Sequence, residues 1–428
     1  MIIRGQQALH ALTLEPIAET TADPSSFGFR PVRGCRDAMK RLFSLLCQNS
    51  SPQWILEGDI KSCFDEISHT WVLENIPMDK KVLQGWLTAG YLEEGELFPT
   101  DSGTPQGGLA SPIIANMVLD GLENKLHVKF GRPGDEKFRK HKVHFVRYAD
   151  DFVITGTDQQ LLKETVLPIV QEHLKARGLR LSEEKTVITH ISKGFDFLGQ
   201  NVRKFKRTLL IRPSAKSISS IKEKVADTIK QYRERPHVML TRLNSIIRGW
   251  AYFHRHAVSK QAFGDVDHYV FQKLWKWACR RHPNKGLRWI KAKYFGHEGK
   301  RKWVFKIKHP ENPVTRFLAS SVFIQWHSMV KLHANPYDPE WKPYFSLRHS
   351  RILARKQPYL LEMAWERQNH CCALCNQPIA QASDGVIYYP HDNIALDKAT
   401  PLFHARLIHL DCLEPTKAGS SSEGPISA

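Results

Sequence analysis

Between Phe145 and Thr155 two short runs of aromatic and β-branched residues flank a pair of adjacent acids, Asp150 and Asp151. Runs of this length, rich in strand formers and broken by polar residues, predict strand, tight turn, strand, with the acids at the turn. A second strand is predicted from Trp54 to Leu56. It runs into Asp59 and Ile60, and Phe64 and Asp65 then open a helix through Trp71 to Ile76. Helical apolar spacing recurs at Ala8, Leu9, Leu12, Leu14 and Ile17, from Arg36 to Cys47, from Ile113 to Lys129 and from Gln159 to Arg177. Phe195 to Val202 reads as strand and turn, and amphipathic helices follow from about Ser214 to Arg281. Strands and helices both occur, and the fold class expected is α+β.

Three polar, glycine-punctuated segments separate these elements. Phe27 to Asp37 carries Arg30, Arg33 and Arg36, and Gly178 to Thr186 carries Lys185. Gly103 to Pro112 is a turn of small residues that leads into a helix. Glycine lets backbone approach a ligand closely and a helix N-terminus favours phosphate, so this last segment predicts a nucleotide contact.

The chain has 428 residues, enough for two or three domains, and carries a net charge of +19. The charge is concentrated. Residues 201–360 hold 35 Lys and Arg against 9 Asp and Glu, while the remainder has a net charge of −7. Seven of the eleven tryptophans lie in the same basic part. Phosphate contact and base stacking require that mixture, so nucleic acid is the expected partner, with tryptophans mostly in the core and Lys and Arg mostly at the surface. An anionic membrane surface is the second candidate for a basic chain. No apolar run is long enough to span a bilayer, which excludes a spanning helix, and no membrane partner is expected. The N-terminus lacks a signal-peptide layout, and the uneven cysteines fit a reducing cytoplasm rather than a disulfide framework.

Neighbouring carboxylates at a hairpin tip repel each other, and a divalent cation relieves the repulsion. A polar turn without chemistry is the plain alternative for Asp150 and Asp151. A third acid, Asp59, at the end of a neighbouring strand would complete a cage for two metals, whereas Asp65 reads as a helix cap. Lys185 is a surface lysine or a cation serving a transferring phosphate. Near the C-terminus, Cys372 and Cys375 with His409 and Cys412 form two pairs at zinc-ligand spacing.

Six blocks stand in order: Gly28-Phe-Arg-Pro31, Asp59-Ile-Lys-Ser-Cys-Phe-Asp65, Gly103-Thr-Pro-Gln-Gly-Gly108, Tyr148-Ala-Asp-Asp151, Leu181-Ser-Glu-Glu-Lys-Thr186 and Phe197-Leu-Gly199. Together they resemble the ordered motifs of group II intron-encoded reverse transcriptases. The resemblance implies a right-hand polymerase palm in which Asp59, Asp150 and Asp151 hold two magnesium ions. Phe64 matches the aromatic that excludes a nucleotide 2′-hydroxyl. Gln106 lies where the family meets template or nucleotide, Arg30 is carried over as a substrate contact, and Lys185 matches a proton donor. Further on, Arg242 to Trp250, Leu274 to Trp277 and Arg280 to Phe295 resemble the maturase region of the same family.

The C-terminal segment resembles a degenerate HNH endonuclease module that holds zinc through Cys372, Cys375, His409 and Cys412. The family's paired histidines fall at Tyr388 and Tyr389, and Leu413 follows the last cysteine, which leaves no evident base apart from His391. The family also carries a fingers region ahead of residue 1, so truncated fingers are expected. The expected division is partial fingers and palm over 1–205, helical thumb over 206–285, a basic RNA- or DNA-binding region over 286–362, the HNH-like module over 363–416 and a disordered tail over 417–428. The resemblance implies an RNA-directed DNA polymerase, cytoplasmic or nucleoid-associated in a bacterium, that uses magnesium, dNTPs and an RNA template with a DNA primer. It would bind group II intron RNA and target DNA. The alternative is a non-polymerising RNA-binding maturase.

Overall fold

A computed structural model describes residues 2–93, 96–98, 102–104, 108–299, 301–308, 313–356, 358–388 and 406–413. Its centre is a four-stranded antiparallel sheet of β1 (Trp54–Asp59), β2 (Phe145–Tyr148), β3 (Asp151–Gly156) and β4 (Val187–His190), in the order β2-β3-β1-β4. Alternation along the strands divides the apolar side chains between two faces. Leu56, Phe145, Phe152 and Ile154 pack with the helices Ser111–Leu119, Leu122–Phe130 and Leu167–Lys175. Ile55, Val146 and Val153 point the other way, onto the helix Cys35–Leu46 and the three-stranded sheet of Phe195–Phe197, Gln200–Phe205 and Thr208–Pro213.

Several predicted helices are interrupted. The helix expected over Ile113–Lys129 is two, because Asp120 is extended and Gly121 takes φ +94° between them. Asp120 is drawn out of helical geometry where its carboxylate meets a buried arginine of β2, described below. The helix expected from Phe64 to Ile76 also divides. Ile67 is extended, and Ser68 caps the second piece by accepting from the Trp71 amide.

The helices Ala215–Gln231, Pro236–His254 and Lys260–Arg281 form a second unit. Its core continues through Ile290, Tyr294, Phe305 and Val322, so one hydrophobic cluster crosses the boundary expected between residues 285 and 286. The segment after that point adds a small antiparallel sheet, Phe295–Glu298, Arg301–Ile307 and Val314–Thr315. Of the seven tryptophans in this part, Trp277 is buried and Trp250, Trp275 and Trp341 pack against hydrophobic cores, whereas Trp289, Trp303 and Trp326 are exposed.

An irregular strap returns from this unit to the first. The Asp37 carboxylate accepts from the Val330 amide and meets His327, and Arg33 donates to the carbonyls of Leu332 and Ala334. The helices Lys342–Lys356 and Pro358–Arg367 then lead to a small C-terminal core around Leu361, Cys372, Ile387 and Leu407, with the strand Val386–Tyr388 paired to Arg406–Ile408. Tyr389 and His391 lie outside the described residues, as does the 417–428 tail. No helix among the described residues is long and apolar enough to cross a membrane.

Candidate active site

Strand register does the first work of assembly. Asp59 ends β1 and Asp151 begins β3, and the two are direct antiparallel partners. Tyr148 pairs with Asp151, so Ala149 and Asp150 form a two-residue hairpin tip. Ala149 takes φ +56°, a conformation that costs an alanine about 1–2 kcal/mol and that persists because both flanking strands are paired. Asp59, Asp150 and Asp151 therefore converge on one sheet edge.

The electrostatics at that edge are unfavourable without a counter-charge. Burial, then the neighbouring Asp150 and Asp59, push the Asp151 carboxyl up to about 6. Lys185 supplies a paired counter-charge. Its ammonium lies 2.9 Å from Asp59 Oδ2, and this bond holds its pKa above the ordinary value. The Ser182 amide donates to the Asp59 carbonyl and seats the Lys185 turn against the end of β1.

These groups open on a cleft of about 370 Å³ lined by Asp59, Phe64, Asp65, Asp150, Ser182 and Lys185 among others. Phe64 is set by a sharp reversal at Ser62, φ +45°, which starts the short helix Cys63–Glu66. Gly103, at φ +87°, lies so close that a Cβ would fall 2.6 Å from the Phe64 carbonyl oxygen. The Thr104 amide donates to that oxygen, which anchors the Gly103 segment beside Phe64. Gln106, farther along the same segment, lies outside the described residues.

Arg30 is placed differently from an open substrate contact. It is buried, its guanidinium pairs with Glu19 at 2.6 Å, and it donates to the carbonyls of Asp23 and Ser26. As positioned, Arg30 shapes its loop, because its donors are turned inward.

Sequence reasoning passed over a buried polar cluster behind the hairpin. Arg147, 1 % exposed, donates to Asp120 Oδ1 at 2.5 Å, to Asn116 Oδ1 at 3.1 Å and to the Ala149 carbonyl. Burial, in the first place, raises the carboxyls of Asp120, Asp23 and Glu123 above their ordinary range. The available signal was Arg147 itself, a charge between apolar strand residues one turn from the acids.

A second cluster sits in the C-terminal core. The ligand atoms of Cys372, Cys375, His409 and Cys412 all lie within 4.8 Å of one another, an arrangement able to hold a metal ion. His409 Nε2 lies 3.0 Å from the Pro378 carbonyl, which leaves Nδ1 facing Cys375 Sγ at 3.3 Å. Burial opposes ionisation of Cys372, but the amides of Cys375, Leu374 and His409 outweigh it and bring the thiol down to about 6.

Residues 1–202 match the family described as reverse transcriptase (RNA-dependent DNA polymerase), and residues 218–295 match the group II intron maturase-specific domain. The group II intron-encoded protein LtrA of Lactococcus lactis subsp. cremoris is 33% identical over 49% of this chain and 44% of its own. Protein YkfC of Escherichia coli (strain K12) is 30% identical over 46% of this chain and 60% of its own. The chain thus spans about half the length of these relatives. A solved telomerase from Candida tropicalis overlays with a TM-score of only 0.36 at 13% identity, covering 67% of this chain and 56% of that one, too loose a likeness to bear weight. The two matched regions stand in order along the chain. Through its first 295 residues this chain belongs to the reverse transcriptase and maturase family of group II intron-encoded proteins.

Proposed function

We propose that the chain copies RNA into DNA at the Asp59, Asp150 and Asp151 cleft and binds intron RNA through its basic second unit, promoting splicing and mobility. The observation that carries this reading is the convergence of three carboxylates from two strands and a hairpin tip beside one open cleft, where Asp59 pairs with Lys185. Two magnesium ions held by these acids would supply Lewis-acid activation of a primer 3′-hydroxyl and neutralise charge on the triphosphate. The donor set fits, because hard carboxylate oxygens suit magnesium and the raised Asp151 reports repulsion that a cation would relieve.

Lys185 keeps its proton at neutral pH and presents it at the cleft mouth, where it serves as charge stabiliser and proton donor. Phe64 lines the cleft as the ring that meets the nucleotide sugar. The soft donors Cys372, Cys375, His409 and Cys412 fit a structural zinc site of Cys₃His type, the form one equivalent of zinc in the purified protein should take. Metal content measured before and after Cys375→Ser checks this; a zinc-free wild type would remove the assignment.

The basic unit suits RNA through paired cations and rings. Lys291 lies 4.2 Å from the Trp303 ring centre and Lys293 4.8 Å from that of Trp289, and both rings are exposed. Such pairs combine phosphate attraction with stacking. Two assays test the proposal. On a primed RNA template the protein should incorporate dNTPs only when magnesium is present. Binding to intron RNA should weaken steeply with salt, by about a thousandfold between 50 and 200 mM if six or more phosphates are neutralised. Salt-dependent binding with extension at background would instead indicate a non-polymerising maturase.

A further inference from the structure

We infer that Phe29 is a positioning residue for nucleotide selection, an aromatic neighbour that holds Phe64 in place; the inference rests on the reading of this cleft as a polymerase site. Phe29 is half-exposed, 52 %, and adopts φ +56°, where a residue of its bulk is an outlier. Its ring meets Phe64 edge to face, with centroids 6.3 Å apart at 78°. A strained backbone and an exposed apolar ring are two costs borne at one residue, and such costs persist only where the surroundings impose them.

The surroundings do impose them. On one side of Phe29, Phe27 is fully buried and its amide donates to the Arg147 carbonyl. Gly28 lies flat against the hairpin tip, where a Cβ would fall 2.3 Å from the Ala149 nitrogen, and its carbonyl accepts from Asn116. On the other side, Arg30 is locked to Glu19. The loop is thus pinned to the backbone of the Asp150 hairpin before Phe29 and to a buried ion pair after it. The Phe29 ring is left in a fixed place beside Phe64.

That place has a chemical consequence. A ring that excludes a 2′-hydroxyl works only if it cannot swing aside. Phe64 sits on a helix of four residues, Cys63–Glu66, with the left-handed Ser62 before it and extended Ile67 after it. Phe64 is only partly buried against the core, and an edge contact from a fixed neighbour adds a further restraint. Phe29 therefore acts on ribonucleotide entry through Phe64 and has little effect on deoxyribonucleotides.

The test is single-nucleotide incorporation on a primed RNA template, with kcat and KM measured for a dNTP and its rNTP counterpart. Phe29→Ala is expected to lower discrimination by about tenfold through rNTP kcat/KM, with dNTP kcat/KM changed by no more than about threefold. Phe29→Tyr should restore selectivity. Phe29→Gly, which relieves the positive φ, should lose selectivity while melting no lower than wild type. In the Phe64→Ala background, Phe29→Ala should have no further effect, since both act on one contact. Additive losses, or unchanged discrimination in Phe29→Ala and Phe29→Gly, would overturn the inference while leaving the polymerase reading intact. A wild type that incorporates no dNTP overturns that reading and, with it, the inference.

Discussion

Asp151→Asn is expected to lose magnesium-dependent DNA synthesis by a thousandfold or more and, in the same protein, to gain thermal stability. Both effects come from one carboxylate. The amide keeps the shape of Asp151 but cannot bring a negative charge to a shared cation, and catalysis by charge stabilisation falls on the order of a thousandfold when such a partner is lost. Stability moves the other way because the metal-free site stores repulsion: burial, Asp150 and Asp59 raise Asp151 from 3.8 to about 6. A carboxyl raised on folding destabilises the folded chain once deprotonated. The penalty is absent below about pH 4, grows between pH 4 and 6 and is complete above pH 6. With discount for solvent screening at a partly exposed group, about 1 kcal/mol should be recovered at pH 7, or about 2–4 °C in melting temperature. Melting curves with and without magnesium at pH 5 and pH 8 check this. The variant should exceed wild type at pH 8 without metal and do so by a smaller margin at pH 5, and magnesium should raise only the wild type. Equal melting at both pH values would mean that the three acids do not share a site.

The central hairpin was legible in the sequence because a strand reports burial with a period of two. Phe145, Val146, Phe152, Val153 and Ile154 alternate between two cores, and that alternation leaves Asp150 and Asp151 nowhere but the tip. Asp59 was legible for the same reason, at the end of an apolar run. The helix interruptions at Asp120 and Ile67 were not, because each depends on a distant partner: Asp120 answers Arg147 across the core, and the Ile67 carbonyl accepts from the Gly103 amide. Periodicity along one helix contains no trace of either. Which tryptophans lie outside the core was not legible, because composition cannot distinguish a core ring from one held at the surface beside a lysine, as Trp303 is by Lys291. Arg30 illustrates the converse error. A motif arginine suggests an anion outside the protein, whereas here the anion is Glu19.

Arg147 carries the second large expectation, a loss of about 3–5 kcal/mol on Arg147→Met. Methionine fills a similar volume, so packing is largely kept and the effect isolates the charge. Arg147 is the cation that lowers both Asp120 and Asp23, whose carboxyls stay above their ordinary range through burial even in its presence. Without it these acids remain buried with their charge answered only by Arg177 and, at Asp120, by Arg30. Protonation relieves part of that cost, so the deficit should be smaller at pH 5 and widen toward pH 8, where both groups must give up protons inside the fold. At neutral pH a fall of about 10 °C in melting temperature is expected for a unit of this size. Arg147→Met with Asp120→Leu should recover much of the loss, since removing both partners of a buried pair is far less costly than removing one. The double variant should nonetheless extend primers poorly. Arg147 also donates to the Ala149 carbonyl at 3.3 Å, and that bond is lost in both variants, loosening the left-handed turn that presents Asp150. Stability restored together with activity would show that Arg147 only balances charge. Stability restored without activity would show that it also shapes the turn that carries the acids.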